Sequence, residues 1–599
     1  MAVTVNGRTE TAADPADPAE QATGHLSGLL AAVTPPGEVA ARFRAEGWWR
    51  DETFLHDLYR TAATDPGRPA IVSQRIHRPA DRRTVTVSYA QLALYVDRFA
   101  AALDGLGIGA GDPVAFQLPS WWEAAALTLA CLRVGALAVP VLPTVRAHGL
   151  ERILEGSRAR ICVVPDVWEG FPHAQALADL APALPWLRHR VVIGDAAATG
   201  ALDFAGYFQR TPHERGPRAR RLSLRSDRAD RISLMITVMS LGDAYAAALH
   251  TPNTLYANIS TQRDPAGPGR RPGEVFYSAL PLTSLASLLY SVCWPLAVGG
   301  TGVYQDVWDP GSCLDLMAAA GVNQAYAAPV YWSEVLAAQQ HRPRELGALR
   351  LLLSGGRTST PAQLLADLPG ALGAPVRTVW GAPELGMGTV TRGDTPAERN
   401  AESDGRPLPG LEVSVVPAEG VGDAQTSQLR VRGPSVCLAT WQRGGGPAPL
   451  ITWDRDEGWL DTGDLAKADG LGGVQVMRRA GERLGGIFLV PVAELEEQLL
   501  THPRVREAAV VGYVDAEYGE MPCAVIVPTT EAEPPGLVEL RDHLAGRGVA
   551  AAFLPTRLEL VGSLPRDDRG ELRKEGLRSW LARIRPGVPR PVPVPAPDA

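Results

Sequence analysis

From Phe54 onward, short apolar segments alternate with longer segments of helical periodicity, and this alternation restricts the possible folds more than any other feature. Ser88 precedes a periodic apolar helix, and residues 112–119 then form a short apolar strand. Further helix patterns lie at 120–135 and 148–159, and further strand patterns at 136–143, 160–166, 321–329, 349–356 and 376–381. The alternation predicts an α/β fold, in which a large N-terminal domain of mostly parallel sheets is covered by helices.

The pattern changes twice towards the C-terminus. Two short alternating strands at 411–418 and 428–433 predict a small β subdomain. Residues 491–565 then read as helix, two strands, helix and strand, which predicts a small α+β C-terminal domain of common size. The predicted organisation is a flexible lead at 1–36, the large domain at 37–477, the C-terminal domain at 478–584 and a Pro-rich tail at 585–599.

Composition excludes several classes of protein. The net charge of −8, without a basic stripe, argues against nucleic-acid binding. No apolar run reaches the roughly 18–20 residues that span a bilayer, and residues 1–24 lack the features of a signal peptide. The six cysteines are scattered and form no CxxC pair, which favours reduced core thiols and a cytoplasmic location over disulfides or a metal site.

Three stretches indicate a family: "WGAPELG" from Trp380, "GRPLPGLEVSVV" from Gly405 and "EGWLDTGDLAKADG" from Glu457. In sequence and order they resemble the adenylate-forming superfamily of acyl-CoA synthetases, peptide-synthetase adenylation domains and luciferases. The first half is most similar to cyclohexanecarboxylate or medium-chain acyl-CoA ligases, and the resemblance covers about residues 38–584. It implies two half-reactions, in which a carboxylate attacks ATP to form an acyl adenylate and a thiol, usually of CoA, displaces AMP. It also implies that the small C-terminal domain moves between them.

The resemblance assigns nucleotide-binding residues. Asp464 would accept hydrogen bonds from the ribose hydroxyls, and Arg478 would contact the nucleotide. Trp380 and Gly381 fall on an adenine-contacting motif, and Glu384 falls on its magnesium ligand. The alternatives are structural: Asp464 is also a residue type that forms turns, and Arg478 would also suit an exposed ion pair.

Several catalytic positions depart from the family pattern. Pro383 occupies a position where the family has a phosphate-contacting Thr. The family's phosphate loop falls on residues 239–247, with Ala246 at its lysine position. In "LPRDDRGELRK", Glu571 occupies the position of the lysine that contacts the carboxylate and the α-phosphate. Lys574 lies about one helical turn further on, roughly 5 Å away, which is too far for it to replace that lysine directly.

The resemblance also places an acyl pocket. Its candidate lining residues are Thr283, Trp332, Gly356, Arg357 and Ala382. Apolar and aromatic residues dominate these segments, which suits a hydrophobic or aromatic acid. The guanidinium of Arg357 could pair with an anionic substrate, and a surface ion pair is the alternative role for it.

These observations support three hypotheses. The first is a divergent AMP-forming ligase of specialised metabolism that uses ATP and Mg²⁺, activates a small carboxylic acid or an unusual oxyanion, and passes it to CoA or an amine. The second is a catalytically impaired protein that acts as a scaffold for a biosynthetic partner enzyme. The third is an ATP-independent activity in the old acyl pocket. ATP binding, a stable complex and nucleotide-free turnover, respectively, would discriminate them.

Overall fold

The structure is a computed structural model of the chain. It describes residues 28–223, 229–239, 245–261, 272–355, 362–395, 403–417, 427–442, 449–454, 456–479, 492–515, 519–530, 533–547, 549, 553–565, 572 and 574–584. The predicted Pro-rich tail at 585–599 lies outside these residues, as does the first part of the predicted lead, up to residue 27.

The strands in chain order are β1 (Pro69–Gln74), β2 (Thr84–Ser88), β3 (Pro113–Phe116), β4 (Leu137–Pro140), β5 (Ile161–Pro165), β6 (His189–Ile193), β7 (Leu202–Asp203), β8 (Leu234–Met239), β9 (Tyr245–His250), β10 (Val275–Ser278), β11 (Thr301–Gln305), β12 (Gln324–Ala327), β13 (Leu351–Gly355), β14 (Val376–Ala382), β15 (Gly386–Val390), β16 (Arg406–Pro407), β17 (Glu412–Pro417), β18 (Ser427–Arg432), β19 (Ala439–Gln442), β20 (Leu450–Ile451), β21 (Leu460–Ala468), β22 (Val474–Arg479), β23 (Val505–Asp515), β24 (Gly519–Pro528) and β25 (Arg557–Leu560).

The α-helices in chain order are α1 (Gly37–Ala45), α2 (Phe54–Thr64), α3 (Tyr89–Gly105), α4 (Trp122–Val134), α5 (Ala147–Ser157), α6 (His173–Leu180), α7 (Pro217–Ser223), α8 (Pro252–Ser260), α9 (Leu285–Leu288), α10 (Trp294–Val298), α11 (Pro310–Ala320), α12 (Pro329–His341), α13 (Ala362–Leu372), α14 (Val492–Leu500), α15 (Leu537–Gly546) and α16 (Lys574–Leu581).

Two large sheets form the centre of the N-terminal domain. Among the described residues, one has the order β16-β15-β14-β13-β12-β10-β11-β1-β2 and the other β20-β19-β9-β8-β4-β3-β5-β6-β7. The central pairs are parallel, and antiparallel pairs such as β14–β15 and β8–β9 lie towards the edges. The predicted α/β class is confirmed. Helix α3 follows Ser88 as predicted, and Ser88 caps it through a capping box with Gln91.

The helices bury apolar faces against these sheets. Helix α4, which runs through the most apolar part of the chain, is buried along almost its whole length. Phe99 of α3 lies 6.2 Å from Trp122 of α4, between ring centroids, and 5.3 Å from Phe204. Such packing explains why the longest apolar run of the sequence forms a core helix followed by strand β4, as predicted.

The predicted β subdomain is also present, with the strand order β17-β18-β21-β22 among the described residues. Its last strand runs to Arg479, two residues beyond the predicted domain boundary at 477. The C-terminal α+β domain contains a sheet of β23, β24 and β25 with α14, α15 and α16. Its apolar side chains form clusters among themselves, which gives this domain a core of its own.

Three further expectations can be compared with the structure. Leu30 and Val33 are buried, so the end of the predicted flexible lead packs against the large domain. All six cysteines are buried and unbridged, as predicted for core thiols. Over the described ranges, no helix is both long and apolar enough to cross a membrane.

Candidate active site

Two residues predicted to bind nucleotide meet directly. Strand β14 carries Trp380 and strand β21 carries Asp464, and the indole Nε1–H of Trp380 donates to Oδ2 of Asp464 over 2.9 Å. Both side chains are buried. The Asp464 backbone is held locally within strand β21, because its N–H donates to the Thr462 hydroxyl and the N–H of Gly463 donates to Asp461. The sequence motif "DTGD" therefore fixes this carboxylate against the aromatic residue.

Two buried polar residues, His250 and Asn258, form hydrogen bonds with the turn that carries Glu384. The Nε2 atom of His250 lies 2.8 Å from the carbonyl oxygen of Pro383. The Asn258 side chain donates to the carbonyl of Leu385 and accepts from the N–H of Met387. Burial lowers the pKa of His250 to about 4, so the neutral imidazole donates from Nε2 throughout the physiological range.

The backbone segments on either side of the same turn lie very close together at Gly381 and Gly386. A Cβ atom on Gly381 would lie 2.2 Å from the carbonyl oxygen of Gly386, so only glycine fits there. The backbone N–H of Cys437 donates to the carbonyl of Glu384 over 2.7 Å, which ties the turn to the neighbouring segment. Neither His250 nor Asn258 was predicted as a site residue. The available signal was the run of polar side chains in the otherwise buried segment "LHTPNTLYAN".

A cavity of about 400 Å³ lies beside this turn. Its walls include Glu384, the strand residues Ala246 and Ala247, and the segment 460–463 that leads into Asp464. Arg430 also faces it from β18. The cavity is therefore lined by the predicted magnesium ligand, by part of the predicted phosphate-loop region and by the β21 residues just before the predicted ribose ligand.

The phosphate-loop prediction needs a structural correction. Strands β8 and β9 pair antiparallel, with Met239 opposite Tyr245, so the connection between them is shorter than the predicted loop at 239–247. Ala246, at the family's lysine position, lies within β9 and pairs with Gln442 of β19. The connection itself, residues 240–244, lies outside the described residues.

The remaining predicted residues fall at different depths. Thr283 and Ala382 are buried after β10 and at the end of β14. Trp332, a residue of α12, lies in the core, where its Nε1–H donates to the carbonyl of Leu353 over 3.0 Å. The backbone of Arg478 pairs with Leu465, next to Asp464. The side chain of Arg478 and all of Gly356, Arg357 and Glu571 lie outside the described residues.

Asp464 belongs to a group of buried carboxylates that also includes Asp404 and Asp469. Asp404 accepts the N–H of Val476 over 2.8 Å and is almost fully buried. Burial, together with the charges of Asp464 and Asp469, raises the pKa of Asp404 to about 7. The folded protein therefore binds a proton at Asp404 that the unfolded chain releases above about pH 4.

We expect Asp404→Asn to change the pH dependence of stability. Because the pKa of this acid is raised by folding, its stabilising contribution is complete below its ordinary pKa and is lost as pH rises through 7. The difference in unfolding free energy between variant and wild type should shift in favour of the variant by about 2–3 kcal/mol from pH 5 to pH 8. Urea denaturation at both pH values measures it, and a difference independent of pH would contradict the assignment.

Comparison with known proteins identifies the family. The pattern of the AMP-binding enzyme family matches residues 58–441, and that of the AMP-binding enzyme C-terminal domain matches residues 494–571. The chain therefore belongs to the AMP-binding enzyme family. This confirms the resemblance to the adenylate-forming superfamily and the division into a large domain and a small C-terminal one.

Individual relatives match this chain over most of its length and of their own. The chain is 27% identical to "Medium-chain fatty-acid--CoA ligase" of Escherichia coli, covering 91% of this chain and 93% of the relative. It is 30% identical to "Salicylyl-CoA synthase / salicylate adenylyltransferase" of a Streptomyces species, covering 91% and 96%. The solved structure of MbtA from Mycobacterium smegmatis matches with a TM-score of 0.61 at 29% identity, covering 92% of this chain and 99% of MbtA.

Proposed function

We propose that this chain activates an aromatic carboxylic acid as its acyl adenylate, using ATP and Mg²⁺ and releasing pyrophosphate. The observation that carries the proposal is the Trp380–Asp464 pair beside a cavity lined by Glu384. Membership of the AMP-binding enzyme family supports the nucleotide, and similarity to the salicylate enzyme supports the aromatic acid. The comparisons lend no support to a non-catalytic scaffold.

In this proposal the Asp464 carboxylate accepts hydrogen bonds from the ribose, and the indole N–H of Trp380 fixes its orientation. Both residues are buried, so the ribose reaches Asp464 only after the segments covering the pair move apart. The buried hydrogen bond from His250 to the carbonyl of Pro383 keeps the turn that carries Glu384 rigid. The Glu384 side chain would therefore line the cavity in a single orientation.

The residues present fit a magnesium ion that is bound together with ATP. Glu384 offers a hard carboxylate oxygen at the cavity wall. Over the described residues, no group of three or more His, Cys, Asp or Glu side chains could hold a metal by itself. Magnesium commonly completes its shell with phosphate oxygens and water, and it would neutralise charge on the phosphates.

We place the acid pocket beside Thr283 and Ala382, two buried residues that the family resemblance assigns to it. Thr283 has a buried hydroxyl without a hydrogen-bond partner among the described residues, and Ala382 closes the neighbouring strand end. A hydroxyl in such a place suits a polar substituent on an aromatic ring. The acceptor that follows would be CoA, a carrier-protein thiol or an amine, and the reaction would take place in the cytoplasm.

Asp464→Asn tests the nucleotide site. We expect its affinity for both ATP and AMP to fall by about 10- to 100-fold, because the hydrogen bonds that the ribose donates lose a charged acceptor. Isothermal titration with each nucleotide in the presence of Mg²⁺ measures this, and pyrophosphate release with a panel of benzoic and hydroxybenzoic acids measures activation. Asp394→Asn, an exposed substitution of the same type, is the control. Equal affinities in wild type and Asp464→Asn would contradict the ribose contact.

A further inference from the structure

The cavity beside Glu384 contains one cationic side chain among its described lining residues, that of Arg430. The other ionisable residues lining it are Glu384, Asp456 and Asp461. Arg430 comes from β18 and lies opposite Asp461 of β21. The guanidinium therefore provides positive charge in a cavity whose wall includes Ala246, the position at which the family resemblance places a lysine.

The guanidinium of Arg430 forms an ion pair with Asp456. The two partners differ in environment: the Arg430 side chain is 23% exposed and the Asp456 side chain 61% exposed. Asp456 and Glu457 both have positive φ angles, 38° and 54°, which cost energy for residues other than glycine. Asp456 is thus an exposed carboxylate on a strained turn.

We infer that Arg430 binds the terminal phosphates of ATP, taking over the role of the absent loop lysine, and that Asp456 occupies the guanidinium until ATP displaces it. This inference rests on the proposed function and adds a residue to it. A guanidinium suits the task because its planar donors bind phosphate through two parallel hydrogen bonds. Glu384, the proposed Mg²⁺ ligand, lines the same cavity, so a cationic contact and a metal ligand lie near one polyphosphate.

Two substitutions with opposite expected effects test the inference. Arg430→Gln should weaken Mg²⁺-ATP and Mg²⁺-pyrophosphate binding by about tenfold or more and leave AMP within twofold, because AMP lacks the terminal phosphates. Asp456→Asn should leave ATP binding unchanged or strengthen it, because a competing carboxylate is removed. Asparagine tolerates the positive φ at this position. Isothermal titration of the full chain with ATP, AMP and inorganic pyrophosphate gives all the required affinities.

Arg210→Gln is the control. Arg210 also forms an ion pair, with Asp203 over 3.0 Å, and neither of these residues lines the cavity. Its substitution should leave both nucleotide affinities unchanged. Thermal unfolding of each variant separates binding effects from loss of structure.

The outcomes separate the inference from the function on which it rests. Equal weakening of ATP binding by Arg430→Gln and Asp456→Asn would mean that the ion pair is only structural, and would overturn the inference. Unchanged ATP affinity in Arg430→Gln would overturn it as well, with the proposed function intact. A wild-type chain that binds neither ATP nor AMP would overturn both.

Discussion

Glu571→Lys should increase the rate of acid-dependent pyrophosphate release by at least about 100-fold. The family resemblance implies that position 571 would face the reacting carboxylate and the α-phosphate, where negative charge increases in the transition state. Losing one aimed donor typically costs about 10²–10³ in rate, and an opposing charge costs more. At roughly 5 Å and an effective dielectric constant of about 20, one like-charge contact is worth on the order of 3 kcal/mol.

The gain should appear mainly in kcat, because a cation at this position contacts charge that develops during the reaction. Steady-state kinetics with an acid identified by the benzoic-acid panel separate kcat from KM. Glu571→Gln removes the repulsion without adding a cation, and its rate should lie between those of wild type and Glu571→Lys.

Glu533→Lys controls for the change in net charge. Glu533 is exposed in the same domain, so this substitution alters the global field by the same amount. Its rate should equal that of wild type. If Glu571→Lys behaves like Glu533→Lys, position 571 does not face the reacting groups and the alignment of "LPRDDRGELRK" with the family motif is wrong in register.

The sequence was sufficient for the fold because local patterns determine it. Strands β3, β4 and β5 and the helices between them follow from alternation, the Ser88 cap and apolar runs, all of which are properties of neighbouring residues. The buried Leu30 and Val33 were missed because the apolar run at 29–33 is too short to show a period and follows a polar, Pro-containing lead. The shorter connection between β8 and β9 was missed because a family register cannot show where strand pairing begins.

The site was only partly predictable. Trp380 and Asp464 were expected near one nucleotide, but their direct hydrogen bond joins residues 84 positions apart. Arg430 carries no motif, and its place in the cavity depends on strand pairing between β18 and β21. Trp332 was predicted to line the acyl pocket, and its indole hydrogen bond to the carbonyl of Leu353 in the core could not be expected from the sequence.

Lys574→Met should lower the stability of the C-terminal domain by about 3–5 kcal/mol. The Lys574 ammonium, nearly fully buried at the start of α16, lies 2.8 and 3.0 Å from the two carboxylate oxygens of Glu496 on α14. Glu496 also accepts the backbone N–H of Val510 over 2.6 Å. Removal of one partner from a buried ion pair takes away the opposite charge that offset the desolvation of the other, which accounts for the size of the loss.

Hydrogen exchange of peptides covering α14, α16 and β23 measures that loss within the domain. Lys467→Met removes the other lysine of the chain, half-buried in β21, and should leave exchange in this domain unchanged. A double substitution, Lys574→Met with Glu496→Gln, removes both charges and should recover much of the stability.

The same variants decide whether Lys574 takes part in catalysis. An ammonium bonded to Glu496 within the domain is not positioned to replace the family lysine, so Lys574→Met should reduce activity only as far as it unfolds the domain. The double variant should then regain activity along with stability. Loss of activity at full exchange protection would instead show that Lys574 leaves Glu496 and reaches the reacting groups, in which case Glu571 is not the residue that limits the rate.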